Sequence, residues 1–431
     1  MSRASIAAAR DVSASGQPAH FEVTKQTMVI LKTFRFRVYP TPAQEARLAR
    51  WNDALRFLWN LALEQRLAGY ARSRCERIYP SAFDQINELT ELRAALPWLA
   101  DVPRNVCAQL LVELDRAWQL CFKKKAKAPH WKRKGEFRSL REPHPKQWRV
   151  VGQTIRFPKL GNLRAVVHRS VDGKPKACVL KRDADQWFAI LSYEAEILDP
   201  TRRDGPVVAL DRGVIYTIGD SDGRLVPSPR FYEQRLNHLA HAQRVLSRKK
   251  KGSKSREKAK LRVTKLHQKV RRQREHFLHV LSHGYAKSHG VVVIEKLQIA
   301  NMVKASSGLS RGILDAGWGQ LARMLGYKLA WSGGSLVEVP AAYSSQTCSV
   351  CGCVDSVNRV SQSVFCCVAC GHTEHADLNA PKVLLARANR SGLPVEGGRS
   401  KDTLRSRKRV ALCASRRAPE APAAVGVDYA R

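Results

Sequence analysis

From Met28 the chain reads MVILKTFRFRVYPTPAQ, apolar residues alternating with basic and polar ones until two prolines break the run. A period of two predicts a half-buried strand that ends in a turn. The period then changes. Through AQEARLARWNDALRFLWNLALEQRL the apolar residues fall at Leu48, Trp51, Leu55, Leu58, Trp59 and Ala62, the stripe of a helix whose apolar face belongs to a core. VPRNVCAQLLVELDRAWQLCF repeats that pattern, so Pro42 to about Lys127 reads as helical. Between 148 and 197 come RVVGQTIRFP, LRAVVHRSV, KACVLKR and WFAILSYEAEI, short strands at the spacing of a small β-barrel. With the strand near 29–39 they form one expected domain, split by the helical insertion.

The second half has longer apolar runs. Val207–Leu210 reads as a buried strand ending in Asp211, and VIYTIGD as the next strand of a hairpin. Residues 231–289 are helical and very basic, with a stripe at Leu266, Val270, Phe277, Leu281 and Tyr285; KKKGSKS at 249–255 breaks them into a helical hairpin. GVVVIEKLQIANM is a second buried strand, with Glu295 where its apolar run stops. LARMLGYKLAWSG reads as a helix, GSLVEVPAAY as a strand, and LNAPKVLLARANR as a closing helix after Asp377.

Three carboxylates thus stand at the edges of regular elements: Asp211, Glu295 and Asp377, separated by gaps of 84 and 82 residues. Only a fold can bring them together. Carboxylates at adjacent strand ends repel unless cations bridge them. Two Mg2+ or Mn2+ ions about 4 Å apart would activate a water and stabilise the leaving oxygen of a phosphodiester. An Asp after a strand is often only a turn or cap residue, the preferred reading for Asp204, Asp220 and Asp222.

Charge narrows the partners. The 431 residues include 75 Lys and Arg against 37 Asp and Glu, a formal net charge of +38. Such an excess repels itself unless a polyanion is bound. Nucleic acid is favoured over a membrane surface, since no window approaches the roughly 18 apolar residues of a span. KKKAKAPHWKRKG carries Lys123, Lys124, Lys125, Lys127, Lys132, Arg133 and Lys134 around Trp131. A basic run is usually a solvated face, but an aromatic inside a run broken by Pro and Gly suits a loop tracking a phosphate backbone. Residues 1–27 and 391–431 lack a strong period and are expected to be disordered. Met28 is a second candidate start. MSRASIAAAR carries no secretory signal, so a cytoplasmic, nucleoid-associated protein is expected.

Cysteines sharpen this. TCSVCGCVDSVNRVSQSVFCCVACGHTEHADLNA, from Thr347 to Ala380, holds six of them. Cys348 and Cys351 form one C-x-x-C, Cys367 and Cys370 another, fifteen residues apart, the spacing of a zinc ribbon. Two knuckles aim four thiolates at one point, completing a tetrahedral shell for one structural Zn2+ with no open position for catalysis. Gly352 and Gly371 follow each pair, where a turn with positive φ suits glycine. A redox dithiol is the weaker reading, and Cys353 and Cys366 are spare thiols that could shift the ligand assignment.

FRFRVYPTPAQE, NELTELRAALPWLADVP, LDRAWQLCFKKK, ALDRGV, KLHQKVRRQREHFLHVLS, VVVIEKLQIANM, DAGWGQLARMLGYK, VPAAYSSQTCSVCG and FCCVACGHTEHADLNA occur in that order. In these stretches the chain resembles the OrfB/TnpB family, transposon-encoded relatives of the type V CRISPR effectors, over roughly residues 29–390. The resemblance implies a mixed α/β and β fold. A β-barrel wedge domain (28–41 and 136–200) takes a helical recognition insertion (42–135). A RuvC-type nuclease domain of RNase H fold (201–346 and 374–390) is interrupted by the zinc ribbon (347–373). It places Asp211, Glu295 and Asp377 on the family's catalytic positions and Cys348, Cys351, Cys367 and Cys370 on its zinc positions. It also implies a guide RNA transcribed from the element's own end, pairing with double-stranded target DNA. Two departures stand out. Arg212 replaces the more usual apolar residue, and Pro381 stands where a helix former is expected. The first reading is an RNA-guided, metal-dependent DNA endonuclease; the second is a guided binder, repressor or accessory transposition protein whose cleavage has decayed.

Overall fold

The computed structural model describes residues 27–72, 80–198, 205–305 and 308–390. The disorder expected for residues 1–27 and 391–431 falls outside these except at Thr27, which opens a strand, and Asp204 falls outside them too. Strand β1 (Thr27–Tyr39) leads into helices α1 (Pro42–Arg72), α2 (Ala82–Ala95), α3 (Pro97–Ala100) and α4 (Arg104–Phe122). Local chemistry sets these starts. Thr41 Oγ1 accepts from the Gln44 backbone N–H while Gln44 Oε1 accepts from the Thr41 N–H, with Pro42 opening the helix, a reciprocal cap. Ser81 and Asp84 do the same for α2.

Six strands follow: β2 (Ser139–Glu142), β3 (Arg149–Val151), β4 (Thr154–Phe157), β5 (Gly161–Val166), β6 (Lys174–Asp183) and β7 (Gln186–Leu198). They join β1 in an antiparallel sheet of order β2-β6-β7-β1-β5-β4-β3. β1 pairs with β7 from Thr27 opposite Leu198 to Val38 opposite Trp187, and its end turns to pair with β5. The chain therefore leaves the sheet after one strand, builds four helices and returns. The sheet curls without closing: the edges β2 and β3 do not pair, so the expected barrel is open along one side. Helices and sheet share one core. Trp51, Leu55, Leu63, Leu111 and Leu114 pack in the same cluster as Phe36, Leu163, Leu180 and Leu191.

The second sheet is built from β8 (Val207–Asp211), β9 (Tyr216–Asp220) and β10 (Leu225–Pro227), then, after helices α5 (Leu236–Ser247) and α6 (Lys254–Ser288), β11 (Val291–Lys296). Helices α7 (Ile299–Ala305), α8 (Ser310–Ala316) and α9 (Trp318–Trp331) lead to β12 (Ser335–Pro340). A small ribbon, β13 (Val364–Cys366) with β14 (Thr373–His375), precedes the last helix, α10 (Ala376–Arg390). The strand order is β10-β9-β8-β11-β12, with β8, β11 and β12 parallel and β9 antiparallel to β8. Both faces are covered. Val208, Leu210, Val292 and Ile294 pack with Leu278, Leu281 and Leu325 on one side; Ala209, Val293 and Val339 pack with Leu384 and Ala388 on the other. Two-sided burial explains why these strands read as continuous apolar runs while the first sheet alternates.

Candidate metal centres

Two groups of potential ligands lie around this second sheet. In the first, Asp211 is the last residue of β8 and pairs across to Gly219 of β9. Glu295 of β11 lies one step beyond the pair Ile294–Leu210, so it follows the same parallel edge. Asp377 is in the first turn of α10. That helix begins at Ala376, earlier than the closing helix expected after Asp377, and Pro381 lies inside it. Proline has no N–H to bond the carbonyl four residues back, and that carbonyl belongs to Asp377. It faces Gly219 instead: a Cβ on Gly219 would lie 1.9 Å from the Asp377 carbonyl oxygen. One glycine thus pairs with the strand of Asp211 and receives the backbone of Asp377. Sequence reasoning passed over it, as nothing local marks it.

Electrostatics ties the three acids together. Asp211 and Asp377 are half-buried and Glu295 is buried. Burial, then the Glu295 and Asp377 carboxylates, push the Asp211 carboxyl up to about 8, against the pull of Arg359 and Arg212. Glu295 is raised by burial, against Arg212, and Asp377 by burial, against His375 and Arg359. Two arginines partly offset the charge. Buried Arg212 donates from its side chain to the carbonyls of Glu295 and Trp318, and its Nε lies 3.8 Å from Glu295 Oε1. Arg359 brings its guanidinium to 3.9 Å from Asp377 Oδ1. The negative charge is under-compensated, the condition in which bound cations stabilise a carboxylate cluster.

In the second group, Cys348, Cys351, Cys367 and Cys370 bring their sulfurs within 4.8 Å of one another. Cys348 Sγ lies 3.7 Å from Cys370 Sγ, and Cys351 Sγ 3.5 Å from Cys367 Sγ. A tetrahedron with Zn–S bonds of about 2.3 Å has edges of about 3.8 Å, so these residues fit zinc. Gly352 and Gly371 take φ of 77° and 71°, and their N–H groups donate to the carbonyls of Cys348 and Cys367, closing each knuckle. Cys353 and Cys366 stay outside the tetrad; Cys366 lies in β13. The two groups are joined by Asn379 of α10, fully buried, which accepts from the Ser349 N–H and donates to the Thr347 carbonyl. Among the described residues, only the tetrad gathers three or more ligating groups this tightly.

The basic loop lies elsewhere, against α1. Asn60 exchanges hydrogen bonds with the backbone of Lys132, and Trp59 Nε1 donates to the His130 carbonyl. Lys123, Lys124, Lys125, Lys127, Trp131, Arg133 and Lys134 are exposed, while Lys132 lies over the Trp59 ring, 5.2 Å from its centroid.

A family model described as "Probable transposase" (OrfB_IS605) matches residues 190–306, and one described as "Cas12f1-like, TNB domain" matches 318–384. A third, described as a helix-turn-helix domain, matches 28–75; here that stretch is β1 and one 31-residue helix as far as Arg72, so the description does not fit the local fold. The chain is 32% identical over 370 residues to "Putative RNA-guided DNA endonuclease InsQ" of Escherichia coli (strain K12), covering 83% of this chain and 92% of that one. It is 30% identical over 362 residues to a "Putative RNA-guided DNA endonuclease" of Streptomyces pristinaespiralis, covering 83% of this chain and 89% of that one. In fold it is similar to the protein of a Cas12f1–sgRNA–target DNA complex, with a TM-score of 0.52 at 13% identity over 83% of this chain and 98% of that one. No described helix is long and apolar enough to cross a membrane. By the matched family model and by identity along most of its length, the chain belongs to the OrfB/IS605 transposase family.

Proposed function

We propose that this chain is an RNA-guided, divalent-metal-dependent DNA endonuclease, with Asp211, Glu295 and Asp377 as the catalytic carboxylates of a RuvC-type centre. The observation that carries this is the convergence of three acids from β8, β11 and α10, with the Asp211 carboxyl pushed up to about 8. Divalent ions such as Mg2+ or Mn2+, when bound there, supply an activated water and charge stabilisation for the leaving oxygen. The chain's own residues orient the oxygens: Arg212 fixes Glu295 from behind, and Gly219 seats the backbone of Asp377. Cys348, Cys351, Cys367 and Cys370 hold one structural zinc that stiffens the insert before α10. The family's curated relatives are named as RNA-guided DNA endonucleases, and a net charge of +38 suits a guide RNA from the element and a double-stranded DNA target. In this reading the first sheet and α1–α4 form the wedge and recognition parts, and the loop from Lys123 to Lys134 contacts a phosphate backbone.

The test is reconstitution with the element's own 3′-end transcript, offering matched and scrambled duplexes. Cleavage should require the match and Mg2+ or Mn2+, because pairing supplies the sequence choice. Cutting both duplexes alike would make the protein an unguided nuclease. Tight matched binding without cutting would favour the decayed binder.

A further inference from the structure

The residue that follows Asp211 is an arginine only 6% exposed. Arg212 is too buried to meet a phosphate backbone, so its charge acts within the protein. Its Nη2 donates to the Glu295 carbonyl, and its Nη1 to that of Trp318 at 3.4 Å. These two bonds fix the planar fork and leave Nε 3.8 Å from Glu295 Oε1. Nε is buried without a hydrogen-bond partner, and Oε1 is the carboxylate oxygen it faces. The Arg212 backbone N–H donates to the same oxygen at 3.4 Å. One residue thus approaches Oε1 with both its main chain and its side chain.

The other oxygen is treated differently. Glu295 Oε2 accepts no hydrogen bond among the described residues, yet it is not sealed from solvent. The two oxygens of this carboxylate are therefore unequal, one facing a fixed cation and one open. The inequality bears on which ion fits. Ca2+ gathers about six to eight oxygens and often takes both oxygens of one carboxylate. Mg2+ requires about six in a near-ideal octahedron and keeps several of them as water. Withdrawing one protein oxygen costs Ca2+ more than Mg2+. The guanidinium charge repels both ions alike, so it sets their absolute affinity and not the preference between them.

We propose that Arg212 is a positioning residue that selects the ion at the carboxylates: by holding Glu295 Oε1 it leaves Oε2 as the oxygen offered, and favours Mg2+ over Ca2+. This rests on the reading of Asp211, Glu295 and Asp377 as a divalent-metal centre.

The test is calorimetric titration of full-length, zinc-loaded protein, freed of nucleic acid in high salt, with Mg2+ alone and with Ca2+ alone. Asp211→Ala supplies the blank, since only binding at the centre should disappear in it. Arg212→Leu keeps the backbone N–H and removes the guanidinium. It should shift the ratio of Ca2+ to Mg2+ affinity towards Ca2+ by about tenfold. A purely structural arginine would on removal weaken both ions together and leave the ratio where it was. An unchanged or opposite ratio therefore overturns the assignment to Arg212 while the metal centre stands. Binding of both ions unaltered in Asp211→Ala would instead remove the centre, and this inference with it. Should Arg212→Leu not fold, the parent protein decides by infrared difference spectra. Isotope labelling of the glutamate side-chain carboxyls separates Glu295 from the two aspartates. The glutamate bands that move on adding Mg2+ or Ca2+ should show one-oxygen coordination; the two-oxygen pattern with either ion would overturn the proposal.

Discussion

The cysteine tetrad and the carboxylate cluster are built from opposite materials. Four sulfurs from two knuckles close on one point, each knuckle held by backbone hydrogen bonds within five residues. Three carboxylates come from elements more than eighty residues apart in sequence and hold each other's charge in an unfavourable state. The first is assembled by local backbone geometry that suits a metal; the second is assembled by the fold at the cost of repulsion between carboxylates. Breaking each should therefore give opposite signs. Cys348→Ser with Cys351→Ser should remove the bound zinc, one per chain by metal analysis, and with it about 10 kcal/mol of local binding energy. Hydrogen exchange of residues 347–373 should rise to that of an open chain. Full metal content in that variant would move the ligand set to Cys353 and Cys366.

Asp211→Asn should go the other way. The folded carboxyl sits near 8 against 3.8 for the free group, so between those values the folded state binds more protons than the unfolded one. The contribution of this one group to the stability of the metal-free protein is fully present below about pH 3.8 and is lost as pH rises through about 8. The asparagine variant should be more stable than the parent at pH 8, by on the order of 1–3 kcal/mol, and equal to it near pH 4. In the nuclease reading it should also lose roughly a thousandfold or more in cleavage while still binding DNA. Thermal melts at the two pH values, with and without Mg2+, check the sign; a variant less stable than the parent at pH 8 would remove the repulsion argument.

The same contrast explains what could be read from the chain. The knuckle spacing and its glycines lie within a few residues, and Cys348, Cys351, Cys367 and Cys370 are the four that meet. The end of β8 at Asp211 and that of β11 one residue past Glu295 follow from where apolar runs stop. What escaped depends on distant partners. That β1 joins the later strands across the helical insertion was legible; that the edges β2 and β3 stay unpaired, leaving an open sheet where alternation suggested a barrel, was not. Arg359 reaches Asp377 from the cysteine-rich insert, and a mid-chain Arg carries no mark of that. The start of α10 at Ala376 hides behind β14, since His375 ends one element and Ala376 begins the next.

Gly219 sharpens the comparison because it acts on the carboxylates through backbone alone. A methyl group there would lie 1.9 Å from the Asp377 carbonyl oxygen and 3.0 Å from its carbon, so β9 or α10 must move. Gly219→Ala should cost about 1–3 kcal/mol in stability and, since a displacement of about 1 Å matters at a reacting centre, about a hundredfold in cleavage. Zinc content should be unchanged. Unaltered cleavage would mean that the backbone of Asp377 is not fixed at this contact.

Asn379 carries the smallest expected effect and the most direct test of whether the two centres communicate. Its side chain is fully buried and spends both ends on the insert, accepting from the Ser349 N–H at 2.9 Å and donating to the Thr347 carbonyl at 2.8 Å. Asn379 lies two residues after Asp377 in α10, and Ser349 lies between Cys348 and Cys351. Asn379→Ala leaves those two backbone groups unpaired at a cost of about 1–2 kcal/mol. The tetrad's own bonds do not pass through Asn379, so one zinc per chain should remain. What should change is the response to chelation. In the parent, stripping zinc with a chelator should alter the binding of divalent metal at the carboxylates, because α10 is tied to the knuckle. In the variant the two metal affinities should become independent, read by titrating each metal with the other present or removed. If chelation has the same effect on divalent-metal binding in parent and variant, the link runs through β14 and the backbone instead, and Asn379 only seals the joint.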